Sequence, residues 1–235
     1  KSRKMSSKDL KAASSKDLTA SGEPAAVHNA LFVLDLPLPL GIGLNEENMV
    51  TEVKPEADKR TLLRRLKFDL TGLPPTLEEL SSFIQDKSEN AYEERVDELL
   101  TRPQYGEHMT RYWADLVRLA DTNGLHTDRH RSFHAYRDWV IQSFNRNQPF
   151  DEFIRDQLAG DLYTNPTTDQ LVASGFNRLN LMFEKGSVLP EESLYRNVLG
   201  RLEALGTAFL GLTVQCAECH DHKYDPISQK EFFQL

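Results

Sequence analysis

Residues 103–120 read PQYGEHMTRYWADLVRLA, and the periodicity of this stretch decides the fold class. Met109, Trp113, Leu116 and Leu119 recur at helical spacing, which predicts a helix with one apolar face. The loop Asp121-Thr122-Asn123-Gly124 follows it. Upstream, Leu62, Leu63 and Leu66 share one face of a basic helix from Pro55 to about Phe68, stopped by Leu70-Thr71-Gly72-Leu73-Pro74-Pro75. Thr76 with Glu79 forms a capping box for a helix carrying Leu80, Phe83 and Ile84. Another helix begins near Ser88 and turns Tyr92, Val96, Leu99 and Leu100 inward. Downstream, Tyr136, Trp139, Val140 and Phe144 mark one helix, and residues 149–158 a shorter one closed by Gly160. Two more helical patterns cover 168–179 and 190–212. Few stretches alternate with period two. The expected fold is all-α, a multi-helix globular domain whose Met and aromatic side chains pack a core.

The 235 residues are 39% hydrophobic and 27% charged, with two Cys, which excludes a disulfide-dense mini-protein and a wholly disordered chain. No apolar run approaches the length of a transmembrane helix. The net charge of −8 makes nucleic acid an unexpected partner. Residues 1–26 repeat SSKDL at Ser6–Leu10 and Ser14–Leu18 and read as a flexible leader. Residues 27–54, with Leu31–Leu40 broken by Pro37 and Pro39, read as a linker or extended arm. Residues 55–235 form the helical domain. The helix opening at Lys230 with adjacent Phe232 and Phe233 reads as part of a longer protein, truncated on its C-terminal side.

Both cysteines fall in one motif, Gln215-Cys216-Ala217-Glu218-Cys219-His220-Asp221-His222. A disulfide here closes a tiny loop and stabilises little. A thioredoxin-like redox pair needs a preceding strand, whereas a helix precedes this motif. Zinc, or another transition metal, could take Cys216, Cys219, His220 and His222, but adjacent ligands at 219 and 220 crowd a tetrahedral ion. Covalent haem c fits the spacing: two thiols reach the two porphyrin vinyl groups and the next imidazole becomes the proximal ligand. Candidates for the second axial position are Met182, Met109, the downstream His222 (close along the chain) and the histidines at 126, 130 and 134. Burial in the core is the competing role of both Met residues. Glu218, Asp221 and Asp225 would hold the proximal region negative and favour the ferric state.

Two further constellations stand apart from the motif. His126, His130 and His134 recur every four residues, a metal-binding face if one helix carries all three, and otherwise a solvated or hydrogen-bonding set. Asp115, Asp121 and Asp161 could bind a cation or run acid–base chemistry if they converge. The competing reading is an Arg–Asp network in which Arg118 and Arg137 neutralise the carboxylates. No GxSxG, Gly-rich phosphate loop or HExxH is present, so phosphoryl transfer and ordinary serine or zinc hydrolysis lack a motif.

The run Arg64-Arg65-Leu66-Lys67-Phe68-Asp69-Leu70-Thr71-Gly72-Leu73-Pro74-Pro75-Thr76 resembles the start of the planctomycete cytochrome-type domain of unknown function. The likeness continues through Tyr105-Gly106-Glu107, Trp113-Ala114-Asp115-Leu116, Ala120-Asp121-Thr122-Asn123-Gly124, Tyr136-Arg137-Asp138-Trp139-Val140-Ile141, Phe144-Asn145 and Gln157-Leu158-Ala159-Gly160-Asp161. It ends with Ala208-Phe209-Leu210-Gly211-Leu212-Thr213 and Cys216 through Ile227, covering about 55–235. Such domains occur in large surface or periplasmic proteins of Planctomycetes and their relatives. They commonly follow a cytochrome-like segment with its own CxxCH, which is not seen here. The resemblance therefore implies a helical domain of a periplasmic or surface protein. Its partners would be a redox protein or adjacent domains of the same polypeptide. The expected function is haem c-based electron transfer through Cys216, Cys219 and His220. The alternative is a metal-dependent, hydrolase-like or structural surface-protein domain whose Cys/His cluster binds a non-haem metal or forms a disulfide.

Overall fold

The computed structural model describes residues 43–44, 50–52, 56–125, 127–183 and 188–235. The expected leader, the Leu31–Leu40 arm and His126 lie outside them. Among the described residues the chain is mostly helical, with one departure from the all-α expectation. A short antiparallel pair joins β1 (Gly43–Leu44) to β2 (Val50–Glu52), Gly43 opposite Glu52 and Leu44 opposite Val50.

α1 (Lys59–Thr71) opens on Asp58, whose carboxylate accepts the Thr61 N–H at 3.1 Å, and buries Leu63, Leu66 and Leu70. It closes on Gly72 in the left-handed region, φ +67°. A Cβ there would stand 2.5 Å from Nδ1 of buried His108, so conformation and space both require glycine. The expected capping box starts α2 (Leu77–Gln85): the Glu79 N–H donates to Thr76 Oγ1 at 3.1 Å and the Thr76 N–H to Glu79 Oε2 at 2.8 Å. Glu79 Oε1 also accepts from buried Lys67 at 3.1 Å and from Arg102 at 2.7 Å. Burial pushes this carboxyl up, but the Thr76 N–H and the two cations outweigh it and hold it at about 2. α3 (Ala91–Leu100) starts three residues later than expected and leaves Tyr92 partly exposed, while Leu99 is buried. Leu63, Phe83 and Ala91 form the small core of these three helices.

α4 (Pro103–Leu116) buries Met109 and Trp113 as its spacing predicts, but the row continues to Val117 and leaves Leu116 partly exposed. Four-residue steps follow the helix stripe more closely than the 113–116 step. α5 (His134–Asn145) crosses α4 at Gly106, whose N–H donates to Asn145 Oδ1 at 2.9 Å. Asn145 Nδ2 donates to the Pro103 carbonyl at 3.2 Å. A Cβ at 106 would lie 2.6 Å from Asn145 Oδ1 and collide with the Ile141 carbonyl, so only glycine permits this crossing.

The main core closes around a polar centre. Gln157 on α6 (Phe150–Ala159) is fully buried, and its Oε1 accepts from Tyr136 Oη at 2.6 Å and Trp113 Nε1 at 3.2 Å. Its Nε2 donates to the Phe153 carbonyl at 3.0 Å. Burial pushes the Tyr136 phenol far above its usual range, so it is a neutral donor here. Trp139 stacks on Phe153 with centroids 5.3 Å apart and planes 7° apart. α7 (Thr168–Ala173) tightens into a 3₁₀ turn at Ser174–Arg178 that delivers Phe176 and Leu179 to the same core. α8 (Pro190–Leu205) ends in one π turn, Gly206–Leu210. The helical patterns at 168–179 and 190–212 are thus each divided in two. α9 (Gln229–Phe232) is opened by a capping box from Ser228 and Glu231.

Candidate functional site

The CxxCH motif lies on the 3₁₀ turn Val214–Glu218 and the residues after it. In a 3₁₀ turn, side chains three apart eclipse, so the motif has two edges. Val214 and Ala217 form the inner edge, buried with Leu202 of α8 and Phe232 of α9. Cys216 and Cys219, also three apart, are both exposed and both free thiols. Cys219 keeps right-handed helical geometry, φ −101° and ψ −28°, so the spacing carries through to it.

Three hydrogen bonds fix the turn. Tyr195 Oη on α8 donates to Glu218 Oε1 at 3.1 Å, between the two cysteines in sequence. Gln229 at the start of α9 donates its side-chain amide to the Glu218 carbonyl at 2.9 Å and its N–H to Asp221 Oδ1 at 2.8 Å. Bonding to the Glu218 carboxylate is the main cause that raises the Tyr195 phenol above its usual range.

His220 and His222 present opposite tautomers. His220 Nδ1 lies 2.7 Å from the Asp221 carbonyl oxygen. A carbonyl only accepts, so Nδ1 carries a proton and Nε2 is the ring nitrogen that could face a metal. This is the arrangement a metal-bound imidazole uses, one nitrogen to the ion and the other donating to a carbonyl. His222 Nδ1 instead accepts the Asp225 N–H at 2.8 Å and the Tyr224 N–H at 3.3 Å, pinning the turn. The Asp225 carboxylate lies 3.3 Å from the same nitrogen. His222 is thereby a turn staple, and its Nδ1 is already engaged.

The other expected site residues are spread over the fold. Met182 is 47% exposed rather than buried, and its N–H donates to the Asn123 carbonyl at 3.1 Å, tying it to the loop after α4. Met109 is buried on α4. His130 sits in a loop bridge opposite Thr122, while His134 is the first residue of α5 with Nδ1 2.6 Å from Ser132 Oγ. The two do not share a helix, so that metal-binding face is not formed. Asp115, Asp121 and Asp161 are all exposed. Arg118, at φ +60° just past α4, swings to α8, with Nη1 3.1 Å from Glu203 and a further bond to the Gly200 carbonyl. Arg118 thus pairs with a glutamate of α8 in place of the expected aspartates, and among the described residues Arg137 pairs with its neighbour Asp138 at 3.6 Å. Among the described residues no three His, Cys, Asp or Glu side chains gather to hold a metal ion. No described helix is long and apolar enough to cross a membrane.

Sequence reasoning passed over Val214, Ala217, Tyr195 and Gln229, which hold the motif. The first two had a signal, apolar residues three apart inside the motif itself. Gln229 also had one, because Ser228 with Glu231 spells a helix start beside it. Tyr195 had none.

Fold and site together define a helical domain presenting an exposed CxxCH turn. The family model PSCyt2, a protein of unknown function (DUF1549), matches residues 43–235, and the chain belongs to that family. No curated protein and no solved structure matches the chain.

Proposed function

We propose that this chain is a haem c-binding electron-transfer domain, with haem carried by Cys216 and Cys219 and with His220 as proximal ligand. The observation that carries the reading is the pairing of two exposed, free thiols on one edge of a hydrogen-bonded turn with an imidazole that donates through Nδ1 to the Asp221 carbonyl. The donor set fits haem better than a bare ion, because a porphyrin brings four nitrogens of its own and asks this turn for one imidazole. Each thiol would add across a vinyl group, its sulfur bonding one carbon and its hydrogen passing to the other, with no net oxidation. The bound haem would supply one-electron exchange. The chain's part is to hold His220 through Asp221, to fix the turn through Tyr195 and Gln229, and to keep Glu218 and Asp221 beside the site.

Covalent haem attachment takes place outside the cytoplasm, so the reading carries a periplasmic or cell-surface location, in keeping with the planctomycete likeness. A partner redox protein or neighbouring domain would exchange the electron. Maturation of the chain in a host that attaches haem c, followed by a visible spectrum, tests this. The expected result is a sharp reduced α-band of c-type haem that survives denaturation and disappears in C216S/C219S. A colourless chain from such a host, with or without bound zinc, would overturn it.

A further inference from the structure

We infer that Leu194 and Val198, beside Tyr195 on α8, are the apolar wall that covers the porphyrin carried by the CxxCH turn. The inference rests on the haem reading above and assigns the surface on which that haem lies. α8 carries one row of side chains, Tyr195, Leu199 and Leu202, directed at the motif: Leu199 and Leu202 pack with Val214 and Ala217, and Tyr195 bonds Glu218. Leu194 and Val198 form the next row around the same helix, four residues apart and therefore stacked one turn above the other. They are 65% and 43% exposed, two aliphatic side chains facing water next to a seated row.

A porphyrin held by two short thioether links cannot travel far from Cys216 and Cys219. His220 addresses the iron from one side, and the apolar rim needs cover from the protein surface the turn already touches. α8 offers such a surface beside α9, joined to the motif by a shared core and by the Tyr195–Glu218 hydrogen bond. The still more exposed Leu77 lies on α2, which packs on α1, and serves as an internal control.

The test uses the full chain matured with haem, reduced and held under carbon monoxide so that the iron is diamagnetic. The Leu194 and Val198 methyl resonances, assigned with L194I and V198A, are compared with those of the unloaded chain. Porphyrin ring current should move both upfield and leave the Leu77 methyls in place. In parallel, L194Q/V198T should lower the covalently loaded fraction severalfold while L77Q leaves it unchanged, both variants keeping wild-type helicity. Attached haem with unmoved Leu194 and Val198 methyls would overturn the wall and leave the anchor standing. Absence of covalent haem in the unsubstituted chain would overturn the anchor reading and the wall with it.

Discussion

Around Trp113, side chains from three helices satisfy one another in the interior; around Cys216, a thin core holds a turn whose chemistry faces water. In the first region Trp113, Tyr136 and Gln157 exchange hydrogen bonds inside an aromatic shell that includes Trp139, Phe153 and Phe176. In the second, Leu202, Val214, Ala217 and Phe232 are the buried members, and three hydrogen bonds from Tyr195 and Gln229 complete the support. The contrast separates two kinds of specificity. The first region fixes which helices meet, since a misplaced partner would strand a buried donor. The second fixes where reactive groups project, and needs only enough packing to keep one edge in and the other out.

The comparison is broken most severely at Gln157. Gln157→Ala leaves the Tyr136 hydroxyl without its acceptor and opens a cavity beside Phe153, so unfolding should cost about 4 kcal/mol less than in the parent. A urea titration should show this as one shifted transition, because the centre joins α4, α5 and α6. Phe232→Ala should come next, at about 3 kcal/mol, but confined to its own region. Hydrogen exchange should then quicken at 214–220 while amides around Trp113 and Val140 keep their protection. Equal loss in both regions would show that the two cores are one cooperative unit.

The Glu79 network supplies a smaller effect with a pH signature. Glu79→Gln strands buried Lys67 and weakens the hold on Arg102, at about 2 kcal/mol. Because the folded carboxyl sits at about 2 against an ordinary 4.5, its contribution is full above about pH 4.5 and is lost as the pH falls toward 2. His108, lowered chiefly by burial and then by Arg111, adds a second acid-side loss that begins as pH drops below its ordinary 6.5. The parent should therefore lose stability in two stages on acidification, and Glu79→Gln should reduce only the lower one, which Glu98 and other lowered carboxyls also feed. A parent and variant with parallel acid profiles would remove Glu79 from this role.

How much of this could be read from sequence follows the same division. The Thr76 capping box, the stop at Gly72 and the Tyr136–Trp139–Val140 face are local signals, and the structure contains them; the helix expected over 103–120 is present but stops at Leu116, where Arg118 takes a positive φ. Several blocks of the family likeness acquire a packing reason: Gly106 meets Asn145, while Trp113, Tyr136 and Gln157 meet one another. Long-range choices were illegible. Arg118 has nearby aspartates in sequence, yet a positive φ carries it to Glu203, 85 residues away. The His130–His134 spacing looked helical, but the pairing of His130 with Thr122 ends that pattern before α5 begins. Met182 followed its apolar neighbours in sequence, whereas Leu181 and Met182 both face solvent. At the motif, residue types and spacing were evident, but the rotation of the turn was set by Val214, Ala217 and the distant Phe232.

The smallest effect belongs to the residues of greatest chemical interest. Cys216 and Cys219 are exposed and free, so neither fills the core nor links the chain. Replacing both with Ser changes one atom in each side chain, and unloaded protein should keep its stability within about 0.5 kcal/mol. Ala217→Leu, between them, places a larger side chain in the fully buried inner edge and should cost about 2 kcal/mol by overpacking. Thermal melts of the unloaded chain check both at once. A large loss in the double Ser variant would mean that the thiols support the turn themselves, and the division between an inner structural edge and an outer chemical edge would fail. Retained stability with the Ala217→Leu loss would locate the support of the motif on one edge and leave the other free for its ligand.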